Sequence, residues 1–299
     1  MSRAPIIQLR SKYGKAEELA GKLLTERDVV VKLEGDADVY KPDGTPLCML
    51  RRGGIPKGLS DNAYPALHEL RKMTTDNRGI YAGATRLHAE FEDGSKSKNS
   101  RTRTADGKLL KVASAIVGYF DRQGGRFPFC RQTAFTGKEP EQWATVMPMV
   151  EHAGKLFKQV VPSRYERQLR ECMKCSDYVI GSTPFTTLTV NNNVAPSATH
   201  KDAGDFKDGF GLITVVRRGD YSGAWLVFPE YLVGVDLQDG DAFFFNSHDW
   251  HGVTPMVSNS PDAERISVVY YMREKMINCL PLDEELARAK ARGELAADE

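Results

Sequence analysis

Three residues have the types and the spacing of a metal site. His200 and Asp202 are separated by one residue in THKDAGD, and His251 follows 49 residues after Asp202 in SHDWHG. Because residues i and i+2 of a strand point to the same face, both members of the first pair can reach one ion. Two imidazoles and one carboxylate on one side of an ion leave three positions open, which suits non-haem Fe(II). His248, in the same SHDWHG segment, is a rival for the third ligand.

A His-x-Asp pair alone often occurs by chance, and Arg265 is the further residue that supports a metal site here. Arg265 follows His251 by 14 residues, inside the strand-like run RISVVYYM. A buried arginine needs an anionic partner, since an unpaired buried charge is very unfavourable. The distal carboxylate of 2-oxoglutarate would be bound by the guanidinium fork, and Ser267, on the same strand face, would donate to it. The open positions on the iron would accept the keto acid end of this cosubstrate and O2.

The elements that must position these residues are mostly strands. After Tyr178, short β-branched and aromatic runs alternate with Gly, Asp and Asn at the spacing of a sandwich or barrel. These runs are FTTLTVNNN, GLITVVRR, AWLVFPEY, VGVDL, DAFFFN and RISVVYYM. We therefore predict an α+β protein with a double-stranded β-helix (jelly-roll) core and a supporting N-terminal helical layer. One oxygenase domain would cover 1–299, with a support region at 1–177, the core at 178–275 and a tail at 276–299.

The N-terminal part has a helical pattern in three places. Residues 14–26 and 61–73 each have the composition or spacing of a helix, and 139–175 has a longer helical pattern that Pro162 would divide. The Gly- and Pro-rich stretch 41–59 reads as loop and turn. The polar segment 91–108 has little to bury and is predicted to be a mobile loop.

Composition limits the class of protein and its partners. The chain is 41% hydrophobic and 27% charged, as in ordinary soluble proteins, and it has no apolar run of membrane-spanning length. Five scattered cysteines favour a reducing, intracellular compartment over a disulfide framework. The Cys172-x-x-Cys175 pair has no second pair at zinc-ribbon spacing. Two basic stretches, 51–57 and 95–103, would suit phosphate contacts.

Three segments together resemble the TET/JBP family of nucleic-acid-directed 2-oxoglutarate oxygenases. They are FTTLTVNNNVAPSATHKDAGDFKDGFGLITVV, GDYSGAWLVFPEYLVGVDLQDGDAFFFNSHDWHG and RISVVYYMREK, and the upstream GYFDRQGGRFPFCRQTAFT is similar to JBP-like and phage members. The resemblance covers roughly 110–275. The chain lacks the cysteine-rich zinc region of animal members, and we expect no room for a separate DNA-binding domain. The compact phage or microbial members are therefore the most similar.

The resemblance implies a role for each matching position. His200, Asp202 and His251 would bind iron, and His251 is preferred to His248 because it precedes a glycine, as the family ligand often does. Arg265 and Ser267 would bind 2-oxoglutarate. Arg131, in FCRQT, would bind its proximal carboxylate, although a structural ion pair explains Arg131 equally well.

The family's substrate-reading positions also have counterparts on this chain. Tyr271 would stack on the flipped base, and Arg273 and Asp205 would contact the pyrimidine edge. Tyr271 and Arg273 keep the strand parity of Arg265, and the Asp205 carboxylate would accept from the base.

These roles predict a dioxygenase that hydroxylates the 5-methyl group of a pyrimidine, 5-methylcytosine or thymine, in DNA. Its cofactor would be Fe(II), with 2-oxoglutarate and O2 as cosubstrates, and DNA would be its partner. A monomer is the default. An alternative is a 2-oxoglutarate-dependent hydroxylase of a free amino acid or another small molecule, without DNA affinity. A second alternative is a non-enzymatic jelly roll that binds sugar or metal.

Overall fold

Strands and helices both contribute to the fold. A computed structural model describes residues 4–13, 16–75, 85–90, 96–103, 108–109, 111–124 and 127–293, with the backbone alone described for 85–90 and 96–102. The helices are α1 (Lys57–Glu69), α2 (Ala134–Lys138), α3 (Pro140–Val160), α4 (Pro162–Cys172) and α5 (Leu282–Ala291). Short 3-10 helices are Ala16–Leu19, Glu26–Asp28, Leu70–Lys72, Met173–Tyr178 and Glu274–Asn278.

The strands are short, and most of them lie in the C-terminal half. They are β1 (Ile6–Gln8), β2 (Val31–Lys32), β3 (Ala37–Tyr40), β4 (Pro46–Arg51), β5 (Thr74–Thr75), β6 (Thr85–Glu90), β7 (Lys96–Arg103), β8 (Val112–Phe120), β9 (Arg131–Gln132), β10 (Thr187–Asn192), β11 (Ser197–His200), β12 (Gly211–Arg218), β13 (Tyr221–Gly223), β14 (Leu226–Phe228), β15 (Val233–Val235), β16 (Ala242–Phe245), β17 (His251–Val253), β18 (Met256–Ser258) and β19 (Glu264–Tyr271).

Two of the four sheets in the described part of the chain contain fifteen of its strands, and the pairs β13–β18 and β6–β7 form the other two. The large sheet has ten strands in the order β1-β3-β4-β16-β12-β19-β10-β8-β5, with β9 on β8, and the smaller sheet has the order β11-β17-β14-β15-β2. The strand β19 lies between β10 and β12 and is antiparallel to both. The predicted division at residue 178 does not divide the large sheet, because strands from both sides of it pair there. The predicted domain bounds stay a prediction.

Alternation along the large sheet separates two cores. On β12, Leu212 and Val216 pack with the helices α1 and α3. Ile213 and Val215 point the other way and pack with residues of the smaller sheet, such as Phe228. The large sheet therefore has helices on one face and the smaller sheet on the other. This second side is where a cavity can form between sheets.

Several of the predicted elements are confirmed, and others are wrong. The strands after residue 178, α1, and the division between α3 and α4 at Pro162 are confirmed. The helix predicted at 14–26 is wrong, because its described residues form only 3-10 turns. The loop predicted at 41–59 contains β4, which pairs with β3 and β16 inside the large sheet. The loop predicted at 91–108 contains β7, paired with β6; residues 91–95 and 104–107 lie outside the described residues.

One pair of cysteines forms a disulfide bond, although the sequence favoured free cysteines in a reducing compartment. Cys130 and Cys279 form a disulfide bond across 149 residues of sequence. Cys48, Cys172 and Cys175 are free and buried. Burial raises the pKa of both thiols of the Cys-x-x-Cys pair, that of Cys175 to about 11, so neither has the reactive thiolate of a redox motif. Among the helices that the structure describes, none is long and apolar enough to span a membrane.

Candidate active site

The predicted metal ligands meet where two strands of the smaller sheet pair. His200 ends β11 and His251 begins β17, and the two residues are register partners. Asp202 lies just beyond β11 rather than on the strand as predicted, and its carboxylate is 3.6 Å from Nε2 of both histidines. The three ligand atoms lie within 4.8 Å of one another. This spacing and donor set fit a single divalent ion held on one face.

Backbone carbonyls orient both imidazoles toward the shared point. His200 Nδ1–H donates to the Ala198 carbonyl at 2.8 Å, and His251 Nδ1–H donates to the Asp249 carbonyl at 2.9 Å. These hydrogen bonds fix the tautomer that leaves Nε2 for a metal. Burial acts to lower the pKa of His251, but the Asp202 carboxylate outweighs it and the pKa is raised. A cation at this point is therefore favoured.

The structure brings His251, and not His248, to the metal group. Nε2 of His248 is buried, and it has no hydrogen-bond partner within the described part of the chain. The backbone N–H of His248 donates to the Asn246 side chain instead. Among the two histidines of SHDWHG, the preference for His251 agrees with this geometry.

One cavity of about 460 Å³ joins the metal ligands to the face of β19. The strand and its extension contribute Arg265, Ser267, Val269, Tyr271 and Arg273, at alternate positions, to the cavity lining. The intervening residues of β19 pack into the core under the helices. The alternation of side chains along the strand therefore places these five residues in one row on the cavity wall, as predicted.

At one end of this row, Arg265 is buried beside the cavity. Its residue is 4% exposed, and its guanidinium makes no hydrogen bond or ion pair to any residue in the described ranges. Burial lowers the pKa of Arg265, partly offset by Tyr221 and Asp236. Ser267 lies two residues on, 5% exposed, on the same wall. A buried cation facing a cavity is a binding site for an anion.

At the other end, the loop after the metal ligands is joined to the end of β19. The Phe206 N–H donates to the Met272 carbonyl at 2.9 Å, and the Glu274 N–H donates to the Gly204 carbonyl at 3.1 Å. Asp205 and Arg273 therefore lie opposite each other as bridge partners. The predicted substrate-reading residues meet at one end of the cavity.

The electrostatics of this end differ from those of a surface. Burial and the nearby Asp202 charge raise the pKa of Asp205 to about 8, against the opposing effects of Ser247 and Arg273. The Tyr271 hydroxyl shares a 3.0 Å hydrogen bond with Thr189 Oγ1, which fixes the ring against the wall. This end of the site therefore has an aromatic ring beside the Asp205 carboxyl group and the Arg273 guanidinium group.

Arg131 does not line the cavity, so its predicted contact with 2-oxoglutarate is not supported. Its guanidinium donates to the Asp121 carbonyl at 3.3 Å and to the Gln123 side chain at 3.1 Å. It also lies over the Phe127 ring, 3.9 Å from the centroid. These contacts give Arg131 a structural role, but none of the three is the ion pair predicted as the alternative, which stays a prediction.

The basic stretch 51–57 is engaged within the chain, which the prediction of phosphate contacts did not anticipate. Arg51 pairs with Asp38 at 2.7 Å, and Lys57 pairs with Asp61 at 3.0 Å. Arg52 pairs with Asp241 and also donates to three backbone carbonyls. Of the stretch 95–103, the side chains of 95–102 lie outside the described residues, so its predicted DNA contacts stay a prediction.

Sequence reasoning missed two groups of residues at the cavity. Asn191 and Thr189 line it from β10, and Ser114 Oγ donates to Asn191 Oδ1 at 2.7 Å. Asp121 forms an ion pair with Arg273. The alternation of TTLTVNN could have identified the β10 pair, whereas Asp121 is 152 residues from Arg273 and its sequence gives no such signal.

With this geometry in place, comparison with known proteins identifies the family. Residues 115–274 match the Tet_JBP family, described as the oxygenase domain of the 2OGFeDO superfamily. The chain belongs to the Tet_JBP family. The matched range includes both ends of the cavity row on β19 and all three metal ligands, so the resemblance inferred from the sequence is confirmed.

This Tet_JBP chain is similar to curated proteins that are named thymine dioxygenases. It is 35% identical over 164 residues to thymine dioxygenase JBP1 of Trypanosoma brucei brucei, covering 54% of this chain and 19% of that protein. It is 36% identical over 187 residues to thymine dioxygenase JBP1-B of Trypanosoma cruzi, covering 60% and 22%. The chain thus spans about a fifth of the length of the curated relatives that it matches.

A solved structure shares the fold of this Tet_JBP chain. It is NgTET1 in complex with 5mC DNA, with a TM-score of 0.60 and 15% identity over 97% of this chain and 91% of that one. At this identity the likeness concerns the fold alone. The mixed architecture of helices on a large sheet is therefore shared with a TET protein.

Proposed function

We propose that this protein is an Fe(II)- and 2-oxoglutarate-dependent dioxygenase that hydroxylates the 5-methyl group of a pyrimidine in DNA. The observation that carries the proposal is one cavity in which the row of residues from Arg265 to Arg273 faces the three metal ligands, with a buried arginine at one end and the Asp205–Arg273 pair at the other. The two sheets that enclose this cavity would form the double-stranded β-helix core of the oxygenase domain.

The metal group fits Fe(II). His200, Asp202 and His251 would hold it through two imidazole nitrogens and a carboxylate oxygen, a donor set with open positions. When bound, the iron would supply the O2 activation that couples decarboxylation of 2-oxoglutarate to succinate and CO2 with hydroxylation of the methyl group. The protein's part is to hold both reactants beside that point.

Arg265 and Ser267 would hold the cosubstrate. The guanidinium fork would bind the distal carboxylate in a bidentate manner, and the Ser267 hydroxyl would donate to the same group. Because both groups are buried, the bound dicarboxylate would exclude water from this end of the cavity. Among the described residues Arg265 has no direct ion pair, so the bound dicarboxylate would supply one.

The other end would hold the base. The Tyr271 ring offers a stacking face, Arg273 donates only, and Asp205 would accept when ionised. A base inside a duplex must leave the stack to reach this depth, at a cost of roughly a few kcal/mol. Curated relatives are named thymine dioxygenases, which favours thymine over 5-methylcytosine as the first substrate to test.

The test is to incubate the protein with Fe(II), ascorbate, 2-oxoglutarate and duplex DNA that contains thymine or 5-methylcytosine. Digestion and mass spectrometry should show 5-hydroxymethyluracil or 5-hydroxymethylcytosine, with succinate formed in equal amount. Decarboxylation of 2-oxoglutarate without any oxidised base would reject DNA as substrate and favour a small-molecule hydroxylase. No decarboxylation under any condition would reject the oxygenase itself.

A further inference from the structure

Two consecutive residues at the end of β8 hold the side chain of Arg273. Asp121 is 4% exposed, and its carboxylate accepts a hydrogen bond from Nε of Arg273 within an ion pair. The Phe120 ring lies beside the same guanidinium, with Cζ 4.0 Å from the ring centroid. A charged hydrogen bond on one edge and an aromatic face fix the plane of the group. Arg273 is therefore restrained before any base arrives.

Without this restraint, Arg273 has another acidic neighbour. Asp205 is its bridge partner, and the Arg273 charge acts on the Asp205 carboxyl. When Asp205 is ionised, an arginine and a carboxylate that face each other across a cavity would pair directly. That pairing would use up the donor and the acceptor that the base needs.

The Tyr271 side chain also hydrogen-bonds Arg273, and Asp121 contacts one edge of the guanidinium. The contact uses Nε, and Nη1 lies toward Gly204, where an added Cβ would be only 3.2 Å from it. Gly204 lines the cavity beside Asp205. The terminal nitrogens of Arg273 are therefore on the cavity side, and a side chain at position 204 would crowd them.

We propose that Asp121 is a positioning residue that holds Arg273 apart from Asp205, so that the cavity offers a fixed donor and a separate acceptor to the pyrimidine edge. This inference rests on the proposed function. Thymine and 5-methylcytosine both place donors and acceptors side by side on that edge, so either base needs two separate protein groups. Asp121 acts through Arg273 and touches no reactant.

The test is a double-mutant cycle on Asp121 and Arg273, read as KM for a methylpyrimidine-containing oligonucleotide and as kcat. Asp121→Asn should raise KM about tenfold and change kcat much less, as expected when a binding contact loses its orientation. In the Arg273→Gln background, Asp121→Asn should raise KM no further. Asp121→Glu, which keeps the carboxylate, should recover part of the loss.

Asp61→Asn is the matched control. It also removes a carboxylate paired with an arginine, Arg218, at 2.6 Å, but Asp61 does not line the cavity, so KM should stay at the wild-type value. Thermal melting of each variant establishes that it folds. If Asp121→Asn does not melt cooperatively, the Asp121→Glu change decides: its KM should rise in the wild-type background and not with Arg273→Gln.

The outcomes separate this inference from the proposed function. Equal rises of KM with and without Arg273 would overturn the positioning role and assign Asp121 to general stability. An unchanged KM in Asp121→Asn, in a protein that oxidises the base normally, would overturn the inference alone. A wild-type protein that turns over 2-oxoglutarate but oxidises no pyrimidine would overturn both.

Discussion

Replacement of Arg265 by methionine should stabilise the protein in the absence of cosubstrate. The guanidinium is buried, and among the described residues it makes no direct hydrogen bond or ion pair, although Asp236 and Tyr221 partly offset the effect of burial. Such a charge opposes folding, whereas methionine would fill the same space along an apolar wall that includes Val269. Because the cavity admits water, the gain should be about 1–3 kcal/mol rather than the larger value for a dry core. For a chain of this size the melting temperature should rise by roughly 2–6 °C.

The same change should abolish stabilisation by 2-oxoglutarate. In the wild type with Mn(II) in place of iron, cosubstrate at a hundred times its Kd should add about 2.7 kcal/mol to the free energy of unfolding. Arg265→Met should show no such increase, since the distal carboxylate would lose its partner. Differential scanning calorimetry with and without 2-oxoglutarate measures both effects.

Arg217 provides the matched control, because it lies directly across from Arg265 in the strand register. Its guanidinium has partners: it donates to Gln238 at 3.2 Å and to the Tyr221 carbonyl, and it lies 3.7 Å from Asp236. Arg217→Met should therefore lower the melting temperature. If Arg265→Met also lowers it, or if that variant is still stabilised by 2-oxoglutarate, Arg265 is a structural residue and the reasoning about the cosubstrate is refuted.

Three further changes test other parts of the structure. Asp202→Ala should reduce 2-oxoglutarate decarboxylation by on the order of a thousandfold, with loss of bound iron by elemental analysis; retained iron and turnover would contradict the ligand assignment. Arg52→Gln should lower the free energy of unfolding by about 2–4 kcal/mol in urea titration, because buried Asp241 loses its cationic partner and keeps only backbone N–H donors. The change should not weaken DNA binding; an unchanged stability with weaker DNA binding would support the phosphate role instead. Burial acts to raise the pKa of Glu285, but hydrogen bonds from Arg122 and two backbone amides outweigh it and the pKa is lowered from 4.5. Its stabilisation is therefore present above pH 4.5 and lost as the pH falls below it, so Glu285→Gln should melt below the wild type at pH 7 and match it in acid. A difference that persists at low pH would exclude this charge effect.

The site was predictable from the sequence where local periodicity determines it. Alternation along RISVVYYMR places Arg265, Ser267, Tyr271 and Arg273 on one face whatever the partners of the strand are. That face is the cavity wall in the structure. The spacing of His200 and Asp202 was equally informative, although Asp202 lies just beyond its strand. These are relations between near neighbours in sequence.

Several of the failures involve partners that are distant in sequence. The run LCML in 41–59 becomes a buried strand only because β3 and β16 flank it, and its Pro and Gly neighbours suggested a loop. Arg52 looked available for phosphate, but its acidic partner is 189 residues away. Cys130 and Cys279 are likewise 149 residues apart. No pattern within a short window identifies such pairs.

The arrangement on β19 also explains why cosubstrate and base would be held at a fixed separation. Arg265 and Arg273 are eight residues apart, roughly 26 Å along an extended strand, and the metal ligands face the row from the opposite sheet. The distance between the two binding ends is therefore determined by a strand that is paired on both sides up to its end, and Arg273 is held just beyond that end by its bridge with Asp205. A shift of register by one residue would turn the whole row toward the helices. Loss of β19 pairing should thus abolish binding of both 2-oxoglutarate and the base, whereas changes in the Asp205 loop should weaken binding of the base alone.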